Sequence, residues 1–154
     1  MDDTRKKEKY GKCPFFWKRG GSARMHRVPR VACINDLSGY GRCSLTTALP
    51  VLSVMGVQAC PVPTAVLSKH TGFTNFSFTD LTDGMAAYLR SWNDLDFDMV
   101  YSGFLGSERQ MSLLRQFFQY QKSKNPDCLI LLDTVMGDCG KLYSTYNRAL
   151  CDSM

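Results

Sequence analysis

Two acids bracket the stretch with the clearest chemical potential, Asp133-Thr134-Val135-Met136-Gly137-Asp138. It follows the apolar run Leu129-Ile130-Leu131-Leu132 and leads into Gly140-Lys141-Leu142-Tyr143. A buried-strand pattern that ends in an acid, a glycine and a second acid is what an open α/β sheet presents to a phosphate-bearing ligand at its carboxyl edge. Hard Mg²⁺ prefers oxygen ligands and is commonly held by one or two carboxylates together with phosphate and water, so Asp133 and Asp138 are candidate cation ligands. Phosphoryl transfer also needs a cradle for the nucleotide phosphates and a base for the acceptor hydroxyl. Taken alone, Asp133 reads equally as a strand-end cap and Asp138 as a turn residue.

The elements that would position these acids alternate along the chain. A short strand over 31–34 is closed by Asn35-Asp36, and Gly39 and Gly41 bracket a turn before a helix over 44–55. Leu45, Ala48, Leu49, Leu52 and Met55 recur at helical steps, with Pro50 expected to kink the helix or end its first half. A second strand over 57–62 leads into a long loop over 63–79, whose Phe73, Phe76 and Phe78 argue for order. The pattern then predicts a helix over 81–89 with Thr79 or Asp80 as N-cap, a strand over 97–102, a helix over 107–122 capped by Ser107, and a strand over 128–133. Asn125-Pro126-Asp127 is the turn between the last two. A helical pattern over 146–154 has no closing signal, which leaves an unfinished helix and an uncovered sheet edge.

This order predicts a parallel sheet with helical crossovers. Such a sheet brings Asp36, the Pro63-Thr64 region, Ser102-Gly103 and Asp133 to one edge, where ligands bind. Leu37-Ser38-Gly39-Tyr40-Gly41-Arg42 lacks the spacing of a phosphate loop and reads as a substrate-side turn.

At 154 residues and 44% hydrophobic content the chain can bury one core. Its seven cysteines form no C-x-x-C pair and only two histidines are present, which argues against structural zinc and for reduced thiols in the cytoplasm. The net charge of +5 is concentrated at one end: residues 1–30 carry ten Lys/Arg against three Asp/Glu, and residues 31–154 carry nine against eleven. The folded part is thus mildly acidic, which speaks against nucleic acid as a partner. Residues 1–30 lack apolar periodicity and read as a disordered basic extension. They hold neither a signal-peptide h-region nor the roughly 20 apolar residues of a membrane span. A basic arm anchored by Phe15-Phe16-Trp17, or upstream sequence read through to a true start at Met25, are the two accounts of this extension.

Three strings in order, Ser68-Lys69-His70-Thr71-Gly72, Ser102-Gly103-Phe104-Leu105-Gly106-Ser107 and the acidic stretch, give residues 31–154 a specific resemblance to the pyridoxal kinases of the ribokinase-like superfamily. The resemblance implies a ribokinase-like three-layer α/β/α fold with a mainly parallel sheet, truncated before its C-terminal half. It implies ATP-dependent phosphorylation of the 5′-hydroxymethyl group of a B6 vitamer, with Mg²⁺, K⁺ as the monovalent cation, and a homodimer at full length. By the same resemblance Asp133 and Asp138 lie beside the nucleotide phosphates and their cations, and Tyr143 approaches the γ-phosphate. Asp36, Thr71, Gly72 and Phe104 face the vitamer. The Thr71-Gly72 loop closes over the ring, and Phe104, where relatives often carry tyrosine, stacks on it.

Departures accompany the match. Thr134 stands where proline is usual, Lys69 takes an asparagine place, and Asp36 replaces a frequent serine, favouring an amine or a protonated ring nitrogen as its contact. The glycine-rich G-T-G-D or G-x-G-D motif that carries the family's base and anion hole does not occur in the sequence. No catalytic residue is therefore assigned, and the chain alone is expected to be inactive. A hydroxymethylpyrimidine kinase of the same superfamily and a non-catalytic vitamer-binding module are the alternatives.

Overall fold

The computed structural model describes residues 27–143 and 145–154. The expectations for residues 1–26, including Phe15-Phe16-Trp17 and Met25, lie outside the described residues. In order the elements are β1 (Arg30–Tyr40), α1 (Ser44–Val54), β2 (Gln58–Lys69), β3 (Phe78–Asp80), α2 (Thr82–Arg90), β4 (Met99–Ser102), α3 (Glu108–Lys124), β5 (Leu129–Leu132), β6 (Gly137–Asp138), β7 (Lys141–Leu142) and α4 (Arg148–Ser153).

Five strands form one sheet in the order β3-β2-β1-β4-β5, and β6 and β7 form a separate hairpin. β2, β1, β4 and β5 run parallel, while β3 joins β2 antiparallel. The crossovers bury both faces of β1, as an all-apolar strand start requires. Val31 and Cys33 pack with Leu45 on one face, and Ala32 and Ile34 join Val62, Met85, Val100 and Leu114 on the other. With α1 on the first face and α2 and α3 on the second, the layers are α/β/α. Each fully buried Leu or Phe, such as Leu114 or Phe97, contributes about 1.5–3 kcal/mol.

The strands nearest the site are longer than the sequence pattern indicates. β1 continues past Asn35-Asp36 to Tyr40 through an irregularity between Asn35 and Leu37, so Asp36 lies within the strand and not at its end. β2 runs through Pro61 and Pro63 to Lys69, which removes the first half of the expected 63–79 loop. The prolines cost no ladder bonds. The Pro61 carbonyl accepts the Tyr88 hydroxyl at 2.8 Å, so the backbone polar side of Pro61 faces away from β1, where a missing N–H is tolerated. The aromatic remainder of the loop supplies β3 through Phe78.

α1 runs unbroken through Pro50, which sits on its exposed side while Leu45, Leu49 and Leu52 hold the helix to the sheet. α3 begins as expected at Ser107, whose hydroxyl accepts the Gln110 N–H at 3.2 Å. The N-cap of α2 is Leu81 and not Thr79 or Asp80, although Asp80 Oδ1 accepts the Thr82 N–H at 2.7 Å. Arg27 to Arg30, assigned above to the extension, are attached to the fold. Arg27 pairs with Asp98 at 3.0 Å, and the Pro29 carbonyl accepts the Gln58 N–H at 2.8 Å.

Candidate active site at the carboxyl edge of the sheet

The edge is organised by a residue that the sequence reading passed over. Asn35, 4% exposed, uses its Oδ1 to accept the Asp36 N–H at 3.0 Å and the Phe104 N–H at 2.9 Å. Its amide lies on Gly103, where a Cβ would come within 2.7 Å of Asn35 Cγ, so only glycine fits. The Gly103 N–H donates to the Ile34 carbonyl at 2.9 Å and the Asp133 N–H to the Ser102 carbonyl at 2.7 Å. These bonds tie the middle of β1 and the ends of β4 and β5 into one rim.

Asp36 is buried, and its Oδ2 accepts the Ser38 hydroxyl at 3.3 Å. The Phe104 carbonyl accepts the Thr64 hydroxyl at 2.9 Å. Gln110, fully buried, donates to the Thr64 carbonyl and to Thr82 Oγ1, both at 2.9 Å, and accepts the Gly106 N–H at 2.8 Å. Gln110 thereby braces the Phe104–Ser107 loop against β2 and α2.

At the β5–β7 end of the rim the geometry is looser. Asp133 and Asp138 are both exposed, and Asp138 Oδ1 accepts only its neighbour's amide, Cys139 N–H, at 2.8 Å among the bonds found. The β6–β7 hairpin is closed by the Tyr143 N–H to the Met136 carbonyl at 3.0 Å. Burial, and then the charges of Asp138, Asp36 and Asp133, push the Tyr143 phenol above its usual range. Tyr101 is likewise pushed up, by burial first and then by Asp133, while a hydrogen bond with the Asn35 side chain works in the opposite direction. Phe104, Tyr146 and Tyr143 form a run of edge-on rings, with centroids 5.8 and 6.5 Å apart, from one side of the rim to the other.

Of the sequence-predicted residues, Asp36, Phe104, Asp133, Asp138 and Tyr143 thus fall in one connected region. Thr71 and Gly72 do not touch it. They follow the end of β2 in an exposed turn where the Gly72 N–H donates to His70 Nδ1 at 3.0 Å. That turn is docked on the end of β1: the His70 N–H donates to the Tyr40 carbonyl at 3.0 Å, and the Phe73 ring packs on Tyr40 at 5.5 Å. Gly41, at φ +106°, leaves the room that the His70 ring takes.

No group of three or more His, Cys, Asp or Glu side chains that could hold a metal occurs among the described residues. Asp133 and Asp138 offer water-exposed carboxylate oxygens, the donor type that Mg²⁺ takes together with phosphate and water. No helix among the described residues is long and apolar enough to cross a membrane.

No family model matches the chain. It is 30% identical over 123 residues to a pyridoxal kinase of Arabidopsis thaliana, covering 74% of this chain and 38% of that protein. Among solved structures it is similar to a protein of Bacteroides thetaiotaomicron described as a phosphomethylpyrimidine kinase and crystallised in one form with pyridoxal, at 44% identity and TM-score 0.79. That match covers 82% of this chain and 44% of the other. A pyridoxal kinase of Lactobacillus plantarum matches at 26% identity and TM-score 0.70, over 82% of this chain and 46% of that one. The chain spans less than half the length of each of these proteins. In sequence and in fold, the chain is a partial-length relative of the pyridoxal kinases, built on the ribokinase-like α/β plan.

Proposed function

We propose that this chain carries the vitamer-side pocket and the first nucleotide-side acids of a cytoplasmic pyridoxal kinase, which moves the γ-phosphoryl group of ATP to the 5′-hydroxymethyl oxygen of a B6 vitamer. The observation that carries the reading is the bonded rim in a relative of pyridoxal kinases: Asn35 Oδ1 holds the Asp36 and Phe104 amides, the Asp133 N–H is bound to the Ser102 carbonyl, and the Phe104 ring reaches Tyr143 through Tyr146. Asp36 would accept from a polar substituent or protonated nitrogen of the ring, Phe104 would offer it an apolar face, and Thr71 and Gly72 would close over it. Tyr143, kept neutral by burial and by the acids, would donate to a γ-phosphate oxygen. Asp133 and Asp138 would hold Mg²⁺, which supplies neutralisation of charge on the phosphate oxygens. K⁺ as monovalent cation and a homodimer at full length complete the reading.

The base and the anion hole are proposed to lie in sequence outside these 154 residues, because the family's glycine-rich motif is not among them. Transition-state stabilisation from an absent anion hole cannot be replaced by binding, so the chain by itself should not turn over.

A second reading, a hydroxymethylpyrimidine kinase, is favoured by the description of the Bacteroides relative, although that same protein was crystallised with pyridoxal. The two separate in an acceptor comparison. A fusion of this chain with the remaining part of the Bacteroides protein is offered ATP and, in turn, pyridoxal, pyridoxine, pyridoxamine and hydroxymethylpyrimidine, and ADP is measured. Preference for a B6 vitamer supports the proposal. Preference for the pyrimidine overturns it. Binding without ADP formation from any acceptor points to a non-catalytic vitamer-binding module.

A further inference from the structure

We infer that Asn35 is the positioning residue of this site: its amide sets Asp36 and Phe104 in register with each other and links them to the nucleotide-side acids. The inference rests on the vitamer-pocket reading above. Asn35 Oδ1 serves two backbone donors on different segments, Asp36 within β1 and Phe104 just after β4. Both donors belong to residues assigned to the vitamer, so one acceptor fixes the spacing between the carboxylate that would read the ring's polar groups and the ring that would stack on its face.

The surroundings leave this amide little freedom. Asn35 is buried, a Cβ on Gly103 would collide with it, and the Gly103 N–H is itself bound to the Ile34 carbonyl. Gly103, on which the Asn35 amide lies, directly follows Ser102, whose carbonyl accepts the Asp133 N–H at 2.7 Å. A shift of Asn35 would therefore be felt at Asp36, Phe104 and, through Gly103 and Ser102, at Asp133. Asn35 has no atom assigned to the substrate, and its effect is exerted through the groups it holds. It lies at the irregularity where the β1–β2 register changes, between Asn35 and Leu37. There a strand departs from regular pairing and a side chain can be aimed along the sheet.

Two substitutions separate the acceptor from the shape. Asn35→Leu keeps the approximate volume and removes Oδ1, leaving two N–H groups without their acceptor. Asn35→Asp keeps the acceptor. In the 154-residue chain, backbone amide hydrogen exchange of Asp36 and Phe104 and the affinity for pyridoxal by fluorescence titration are measured for wild type and both variants. Asn35→Leu is expected to speed exchange at Asp36 and Phe104 by about tenfold or more, the loss of a buried hydrogen bond, while Ile34 and Val100 in the adjoining ladders stay protected. Pyridoxal affinity should fall by about tenfold in the same variant, and Asn35→Asp should restore most of the protection at Phe104. Unchanged exchange at both amides in Asn35→Leu overturns the clasp. Faster exchange with unchanged pyridoxal affinity overturns the positioning role and leaves Asn35 a structural residue. A wild-type chain that binds no pyridoxal overturns the vitamer reading, and the positioning role with it, while the exchange data still decide whether the clasp exists. If Asn35→Leu fails to fold, Gly103→Ala, which displaces the amide without removing it, must reproduce both losses or the inference fails.

Discussion

The two sides of the rim are built on different physical principles. On the vitamer side, Asn35, Asp36 and Gln110 are buried, and their hydrogen bonds span up to 69 residues of sequence. On the side proposed for the nucleotide, Asp133 and Asp138 are exposed, and the hairpin that holds Asp138 is closed by contacts among near neighbours. Long-range buried bonds can exist only in the folded sheet, so the first side is preorganised by folding. The second has its carboxylates in water, where they keep full hydration until a phosphate and a cation displace it. Mutations should therefore be paid in stability on the first side and in ligand affinity on the second.

The largest effect expected from that contrast is at Gln110. Gln110→Leu strips three bonds from a fully buried position, strands the Gly106 N–H and leaves the Thr64 carbonyl with the Leu81 N–H alone, for a loss of about 3 kcal/mol in urea unfolding. A loss under about 1 kcal/mol would break the claim that this side is held by buried polar bonds. Gly103→Ala should follow closely, at about 2 kcal/mol, because the new methyl meets the Asn35 amide within 2.9 Å and backbone bonds on both sides oppose retreat. Its midpoint in the same urea series is the check.

Alkaline pH sharpens the contrast from another direction. Burial first, and then the nearby Cys60, push the Cys33 thiol up to about 11 from 9.0. A group whose folded value is raised binds its proton more tightly in the folded state, so its contribution is complete below about pH 9 and is lost as pH rises through about 11. The loss attached to Cys33 is on the order of 2 kcal/mol. Cys33→Ala should flatten the fall in stability between these pH values. Cys60, Tyr101 and Cys128 are raised in the same direction and keep part of the slope. An identical pH profile in the variant would contradict the assignment.

Asp138→Asn should be the smallest in stability, within about 0.5 kcal/mol, since an exposed residue of a two-residue strand loses little. In a fusion that completes the enzyme, the same change should weaken Mg·ATP binding at least tenfold, read by nucleotide titration. A variant that unfolds more easily while binding nucleotide normally would reverse the distinction between the two sides.

How far the site was legible in the sequence follows the same division. Asp133, Asp138 and Tyr143 lie in one continuous stretch, where an apolar run, an acid and glycines announce a strand and the turn beyond it. Ser107 was legible as a cap because its role depends on a residue three positions away. The extension of β2 past Val62 was hidden because Pro63 is a strand breaker by local rule, and only the Tyr88 hydroxyl on the Pro61 carbonyl two residues earlier shows that this side of the strand faces away from the ladder. Asn35 and Gln110 were illegible for a related reason. Their partners are Phe104 and Thr64, far away in sequence, and an Asn or Gln carries no spacing signature of its own. The nearest available signal was Gly103 directly before Phe104, a glycine where a close approach had to be accommodated.

The most direct test of the account is pyridoxal-dependent ADP formation by the 154-residue chain, measured beside its fusion with the remaining part of the Bacteroides thetaiotaomicron protein. The account predicts ADP from the fusion and none above background from the chain alone. Turnover by the chain alone would contradict it, and so would a folded fusion that binds ATP and pyridoxal yet forms no ADP.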